Sequence, residues 1–433
     1  MIEGWSLISL LRGGIGMVVL IALSWLMSVD RRAIDWRVVG KAFAIQLVLA
    51  LGVLYVPFVA TIFEVIGGAF VKVLDFTRAG SQFVFGSLVD MNKVGSIFAF
   101  QILPTLIFFS ALTSLFYYLG IIQFVVKGVA WLLNRSLKIS GAEGLTTAGN
   151  IFLGMSEAPL MTKRYLSTMN RSEIFLVLVS GMATISGGIM AAYVAMLSGG
   201  DPASRIYYAK HLLSASVMAA PAAVMMAKIV VPQTESVESV LDPSGMKRDT
   251  SVLSALSNGT VSGLKLSVMV AATVLVFIAM IALLNYLLSG LLGEVTGLNR
   301  WIQTITDGRQ TLTLEYILGL LFSPIVWLMG VNSADMGLVG GLLGKKIILN
   351  EFLSYADLSM LKEAGRFIEQ KSIVMSTYLL CGFANIGSIG ILIGAFEALA
   401  PNQKDLVARF GFRAMFAATL ASCFTATIIG MII

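Results

Sequence analysis

Long apolar runs dominate this chain and leave it few ways to fold. Eight of them, at 7–28, 40–62, 96–120, 172–197, 208–231, 263–290, 372–398 and 410–433, each supply the roughly 20 residues a helix needs to cross the hydrocarbon core of a bilayer. In lipid every backbone N–H and C=O must find a partner within the protein, so only helices and closed barrels span it. Strand-type alternation is absent from these runs. The expected fold is therefore an all-α polytopic membrane protein with eight transmembrane helices. Charged residues make up 12% of the chain, against about 25% in soluble domains, which excludes disordered, fibrous and soluble-enzyme classes. The net charge of +6 fits basic loops rather than a nucleic-acid surface, so membrane lipid is expected as a partner and nucleic acid is not.

The basic residues also orient the chain. Arg31, Arg32, Arg37 and Lys41 form one cluster. Lys127, Arg135, Lys138, Lys163, Arg164 and Arg171 form a second, and Lys404, Arg409 and Arg413 a third. Placing these loops inside puts both termini outside, periplasmic in a bacterial inner membrane. The loop with Lys247 and Arg248 adds little. The first run follows Met1-Ile2-Glu3-Gly4 without a basic leader or cleavage site, and reads as a retained span. Cys381 and Cys423 lie in apolar runs and His211 is the only histidine, so neither a disulfide framework nor a Cys/His metal cluster is readable.

Two segments are too broken to span. Residues 140–171 and 331–366 each consist of two short helix-like pieces around a polar or Gly-rich interruption, and each holds a glutamate, Glu157 or Glu351, among apolar neighbours. These are expected to be re-entrant hairpins, because unwound backbone at membrane depth is tolerated only where it lines a protected cavity. Each hairpin precedes a span with a polar, Gly-rich island at its middle: Thr184-Ile185-Ser186-Gly187-Gly188 after the first, Asn385-Ile386-Gly387-Ser388 after the second. The order span, hairpin, broken span, span thus occurs twice with opposite sense. That is an inverted repeat with interrupted helices, a pointer to a secondary transporter with a midplane site. The expected organisation is 1–95 for two N-terminal spans and an interfacial helix at 65–89, 96–231 for the first repeat, 232–262 for a linker and 263–433 for the second repeat.

An ionisable group at membrane depth costs at least about 2.5–3.5 kcal/mol, so Glu157 and Glu351 are candidate site residues, against the alternative that they cap half-helices. Asn385 and Ser388 are three apart and share a helix face. Gly387 and Gly390 read more simply as helix packing. Asn150, Leu153, Thr184 and Ile185 bring amide, hydroxyl and free carbonyl oxygens to two breaks, a set able to replace the hydration shell of a small cation. Arg12, Gln46 and Gln101 read as snorkelling or span-end residues. Pro104, Pro221 and Pro324 read as helix kinks, and Asp335, Lys345 and Lys346 as water-facing.

The motifs carry a resemblance. Gly149-Asn150-Ile151-Phe152-Leu153-Gly154-Met155-Ser156-Glu157-Ala158-Pro159-Leu160, Gly344-Lys345-Lys346-Ile347-Ile348-Leu349-Asn350-Glu351-Phe352 and Cys381-Gly382-Phe383-Ala384-Asn385-Ile386-Gly387-Ser388-Ile389-Gly390 resemble the signature segments of the concentrative nucleoside transporters, in order and spacing. The resemblance implies a homotrimer, each protomer having a scaffold domain and a transport domain that moves across the membrane. It implies that Glu351, Asn385 and Ser388 hold the ribose with Phe383 beside them. Met155, Ser156 and Glu157 would face the base, with Ile189 as an apolar wall. It assigns Asn150, Leu153, Thr184 and Ile185 to sodium, the coupling ion, with no organic cofactor. Met155 and Ser156 stand where the family commonly has Gln and Thr, which leaves the base preference open.

The function implied is sodium-coupled import of nucleosides such as uridine. Proton coupling is the first alternative. An intramembrane enzyme using Glu157 and Glu351 as acid and base is a second, although no nucleophile–histidine pair or metal-binding helix supports it. A channel fits the interrupted repeat poorly.

Overall fold

The computed structural model describes residues 7–90, 93, 97–199, 201–235, 250–306 and 310–433, and every regular element among them is helical. The chain opens with α1 (Leu7–Leu26) and α2 (Trp36–Tyr55). Asp35 caps α2 by accepting the Arg37 amide at 2.9 Å. Pro57 then begins α3 (Pro57–Phe85). Proline is pre-set for the first helical turn and forces the residue before it out of helical geometry, and Val56 is accordingly extended. The run 40–62 is therefore two helices meeting at Val56, and residues 65–85, expected to be an interfacial helix, belong to the continuous helix α3 that starts at Pro57.

Two series of elements follow. The first is α4 (Leu103–Tyr118), α5 (Ile121–Leu137), α6 (Gly141–Gly149), α7 (Lys163–Leu166), α8 (Arg171–Ala183), α9 (Gly187–Ser198) and α10 (Pro202–Val230). The second is α11 (Val252–Asn285), α12 (Leu298–Ile305), α13 (Leu314–Leu328), α14 (Met336–Ile348), α15 (Glu351–Glu363), α16 (Gln370–Leu380), α17 (Ile386–Leu399) and α18 (Lys404–Ile432). Helix α11 begins at Val252, inside the stretch expected to be linker, and continues as a π-helical segment, Tyr286–Gly293. Lys247, Arg248 and Met1–Gly4 lie outside the described residues. Among the described residues, eight helical stretches have the length and composition to cross a membrane. They are not quite the eight expected, because α3 joins them and 372–398 divides into α16 and α17.

Burial separates two kinds of helix. The most apolar window of α10 is 94% buried and that of α18 is 89% buried, whereas that of α11 is 6% buried. Helices α8, α10 and α18 pack on one another as the centre, and α1 and α2 cover them. Helix α11 lies against α4, and its outer face shows Val268, Leu275 and Val276. That contact is close because Gly259 and Gly263 present no side chain: a Cβ on either would stand 2.7 Å from the Cα of Ala111 or Ile107.

Several polar residues differ from expectation for one reason, that each has found a partner inside. Gln46 is buried and donates to Thr425 Oγ1 at 2.7 Å. Arg12 donates to the Val331 carbonyl at 3.1 Å and lies over the Trp327 ring. Asp335 is buried and accepts the Ile368 and Glu369 amides at 2.9 and 3.1 Å. Lys345 is buried between Glu315 and Asp357. Lys346 is fully buried. Pro104 lies in the first turn of α4, so it starts a helix; Pro221 and Pro324 do lie inside theirs.

Candidate functional site

The break between α16 and α17 and the start of α15 meet in a small polar cluster. Helix α16 stops at Leu380, and five residues later Asn385 starts α17 as its N-cap, with its Oδ1 accepting the Ser388 amide at 2.9 Å and the Ser388 hydroxyl at 3.1 Å. Asn350 caps α15 in the same way, through the Leu353 amide at 2.9 Å. Capping at Asn350 sets Glu351 at the first position of α15. There its Oε2 accepts Asn385 Nδ2 at 2.7 Å and its Oε1 accepts the Tyr193 hydroxyl at 3.2 Å. Glu351, Asn385, Ser388 and Tyr193 are all buried. Tyr193 stacks on Tyr355 with ring centroids 4.0 Å apart, and edges against Phe352 at 5.4 Å. Two carboxylate oxygens held by neutral donors retain lone pairs for further donors such as vicinal hydroxyls.

The first broken helix presents a different set. Helix α8 stops at Ala183, Thr184 is extended, and α9 begins at Gly187. Asn150, at the end of α6, is fully buried and donates to Ser180 Oγ at 3.0 Å. Its Oδ1 has no hydrogen-bond partner, and neither has the buried Thr147 Oγ1. Thr184 Oγ1 donates to the Ser180 carbonyl at 2.8 Å. Orphaned buried oxygens are costly unless something cationic or protic meets them. The Asn150 carbonyl oxygen therefore fits a cation, and Thr184 and Ile185 lie at the adjacent break.

The two breaks touch. Gly382 has φ +150°, and a Cβ there would lie 2.8 Å from the Ala183 carbonyl oxygen, so the crossing admits only glycine without a shift. The first hairpin joins the same place, since Gly187 N donates to the Phe152 carbonyl at 3.1 Å. A cavity of about 720 Å³ opens beside it, lined by Leu153, Glu157, Ser186 and Gly188 on one side and by Thr113, Ser114 and Asn258 on the other.

Beyond Asn150, Thr184 and Ile185 at the first break, the predicted residues fall into three groups. Glu351, Asn385 and Ser388 are directly bonded. Leu153 and Glu157 line the cavity, where Glu157 is exposed and Ser156 next to it is exposed as well. Met155 is buried against α8, where a Cβ on Gly181 would meet the Met155 Cβ at 3.0 Å; Ile189 is buried and Phe383 half-buried, and none of these three lines the cavity. Sequence reasoning missed Tyr193, although it stands four residues after Ile189 on the same face of α9. It missed Ser180, four before Thr184, for the same lack of a charge to draw notice. It also missed the buried ion pair of Glu143 with Lys228, to which Ser172 Oγ adds a contact at 3.0 Å. Glu143 closes the capping box of α6 with Ser140, and Lys228 ends α10, so the pair ties the hairpin to the core.

Comparison with known proteins gives the family. Residues 15–88 match the family described as "Na+ dependent nucleoside transporter N-terminus", residues 211–430 its C-terminus, and residues 99–199 "Nucleoside recognition". An "Uncharacterized transporter" of Haemophilus influenzae is 39% identical over 98% of both chains. A "Nucleoside permease" of Helicobacter pylori is 36% identical over 97% of both. "Sodium/nucleoside cotransporter 1" of Rattus norvegicus is 35% identical over 96% of this chain and 63% of its own length. Among solved structures, CNTnw in an inward-facing substrate-bound state superposes with a TM-score of 0.87 at 35% identity, covering 97% of this chain and 98% of that one. These relatives are transporters and permeases, not enzymes.

Proposed function

The chain belongs to the Na+-dependent nucleoside transporter family, and from that membership we propose that it imports nucleosides by cation-coupled symport, with sodium as the coupling ion. The observation that carries the substrate side is the Glu351–Asn385 bond at 2.7 Å with Ser388 behind it. A carboxylate already held by two neutral donors is preorganised to accept ribose hydroxyls, and charge-assisted bonds of this kind are roughly twice as strong as neutral ones. Glu157 and Ser156, with Met155 and Ile189 behind them, form the base side, and Phe383 flanks the ribose. A site built to pair hydroxyl groups rejects deoxy analogues, because the analogue leaves a buried acceptor unmet.

Sodium is supported by the orphaned Asn150 Oδ1 beside the break at Thr184 and Ile185, with Leu153 on the same hairpin. Neutral oxygens of this type suit a small cation and offer no proton carrier, which favours sodium over a proton.

We further assign residues 140–171 and 331–366 to re-entrant hairpins of an inverted repeat, the two units being 96–231 and, from the start of α11, 252–433. The hairpins, the broken helices and the buried helices α10 and α18 make the transport domain; α4 and α11 make the scaffold. Elevator movement of the first against the second would give alternating access. The exposed apolar face of α11 supports assembly as a homotrimer through that helix. The protein is assigned to an inner membrane with periplasmic termini, consistent with Arg31 and Arg32 in the exposed turn between α1 and α2 and Arg37 exposed in the first turn of α2.

Uptake of radiolabelled uridine into proteoliposomes under an imposed sodium gradient, with the uridine recovered unchanged, tests the substrate and the coupling ion. Equal uptake driven by a pH gradient alone in sodium-free vesicles would replace sodium by the proton.

A further inference from the structure

Helix α6 packs on α8, and in the second series α14 packs on α16. Both α8 and α16 stop at a break, where last-turn carbonyls lose their intrahelical donors. The two breaks meet that loss differently. At the first, Asn150 Oδ1 and Thr147 Oγ1 have no partner. At the second, Lys346 of α14 is fully buried, and its Nζ donates to the Leu379 carbonyl at 2.8 Å and to Ser422 Oγ at 3.3 Å. Ser422 Oγ lies 3.5 Å from the Cys381 carbonyl, and Tyr355 donates to the Thr377 carbonyl at 2.6 Å. The end of α16 is thus met by a charged side chain, whereas at the end of α8 the neutral Thr184 hydroxyl meets the Ser180 carbonyl and Asn150 Oδ1 is left unpaired. Both partners of the ammonium are neutral oxygens, a carbonyl and a hydroxyl, the kinds that coordinate small cations. An ammonium at membrane depth is costly and needs a reason to be there.

We propose that the Lys346 ammonium is a tethered cation, filling in the second half of the chain the position that the coupling ion takes in the first. This rests on the assignment of the first break as a cation site. Lys346 is then a positioning residue. It fixes Leu379, which leads through the break to Asn385, and it sits on the helix that leads through Leu349 to Glu351, so it holds both ends of the Asn385–Glu351 bond. It also leaves one exchangeable cation per protomer where the repeat would otherwise offer two.

The test uses the full chain in proteoliposomes, with methylammonium chloride as the probe. Lys346→Ala should lower uridine uptake roughly tenfold to hundredfold, the cost of leaving buried oxygens unpaired. Methylammonium, at a concentration without effect on wild type, should restore it, while choline, too bulky for the vacated space, should not. Lys346→Met should be equally impaired and should not respond, since its stem fills the space without a charge. Wild-type uptake by Lys346→Met, or a folded Lys346→Ala that methylammonium does not restore, overturns the proposal. If Lys346→Ala is too unstable to transport, its thermal midpoint should rise with methylammonium more than that of wild type, and the absence of such a rise overturns it equally. Sodium dependence of wild type is read in the same vesicles. Sodium-independent uptake would refute the coupling ion without touching the response of Lys346→Ala to methylammonium.

Discussion

Replacing Glu351 by glutamine isolates the charge from the shape. The carboxylate accepts from Asn385 Nδ2 at 2.7 Å and from the Tyr193 hydroxyl at 3.2 Å. Glutamine can keep the first bond through its own carbonyl oxygen and turn its amide toward Tyr193, whose hydroxyl can accept as well as donate. The cluster should therefore remain folded, with both bonds neutral. What is lost is an anionic acceptor for the substrate. A hydrogen bond to a charged group contributes about 1.5–3 kcal/mol against about 0.5–1.5 for a neutral one. The difference is about 1–2 kcal/mol for one ribose hydroxyl, or roughly fivefold to thirtyfold, and about twice that in free energy if both hydroxyls are accepted. The assay is uridine binding by calorimetry on purified protein, paired with uptake in proteoliposomes and a thermal midpoint to confirm the fold. A well-folded Glu351→Gln variant that binds and transports uridine within about twofold of wild type would refute the assignment of Glu351 to the ribose, because a difference that small is below that of one charged bond.

Four further outcomes follow from the same geometry. Asn150→Ala removes the orphaned acceptor, so the sodium concentration for half-maximal uptake should rise about tenfold while the rank order of nucleosides stays fixed; titrating sodium at constant uridine checks it. Met155→Gln should strengthen uridine relative to purines in competition curves, and an unchanged rank order would leave Met155 a packing residue against Gly181. Lys228→Met strands the Glu143 carboxylate in the core and should cost about 3–5 kcal/mol of stability; adding Glu143→Gln should recover part of it, read as thermal midpoints of the single and double variants. Gly382→Ala should lower both stability and uptake, since its Cβ would meet the Ala183 carbonyl at 2.8 Å where the helices cross; wild-type behaviour would show that the crossing has room.

The sequence alone determined the membrane class, the family resemblance and the identity of the polar residues at the breaks, because each of these is a local property. A run of 20 apolar residues has few alternatives in water or lipid. Thr184, Asn385 and the glycines around them announce interruptions by type and spacing. Asn350 and Asn385 both cap the helices that follow them, which a polar residue at the head of an apolar run already suggests. The tertiary structure decided what those residues touch. Hydropathy cannot tell that 40–62 is divided at Val56, because both pieces are apolar and the division depends on one proline. Nor can it tell a water-facing lysine from Lys346, fully buried on a carbonyl and a hydroxyl, or Gln46 at a span end from Gln46 bonded to Thr425 across the length of the chain. Tyr193 became visible only when α9 packed on α15 and aimed its hydroxyl at Glu351. A buried polar group is defined by its partner, and partners distant in sequence are set by packing that no local pattern encodes.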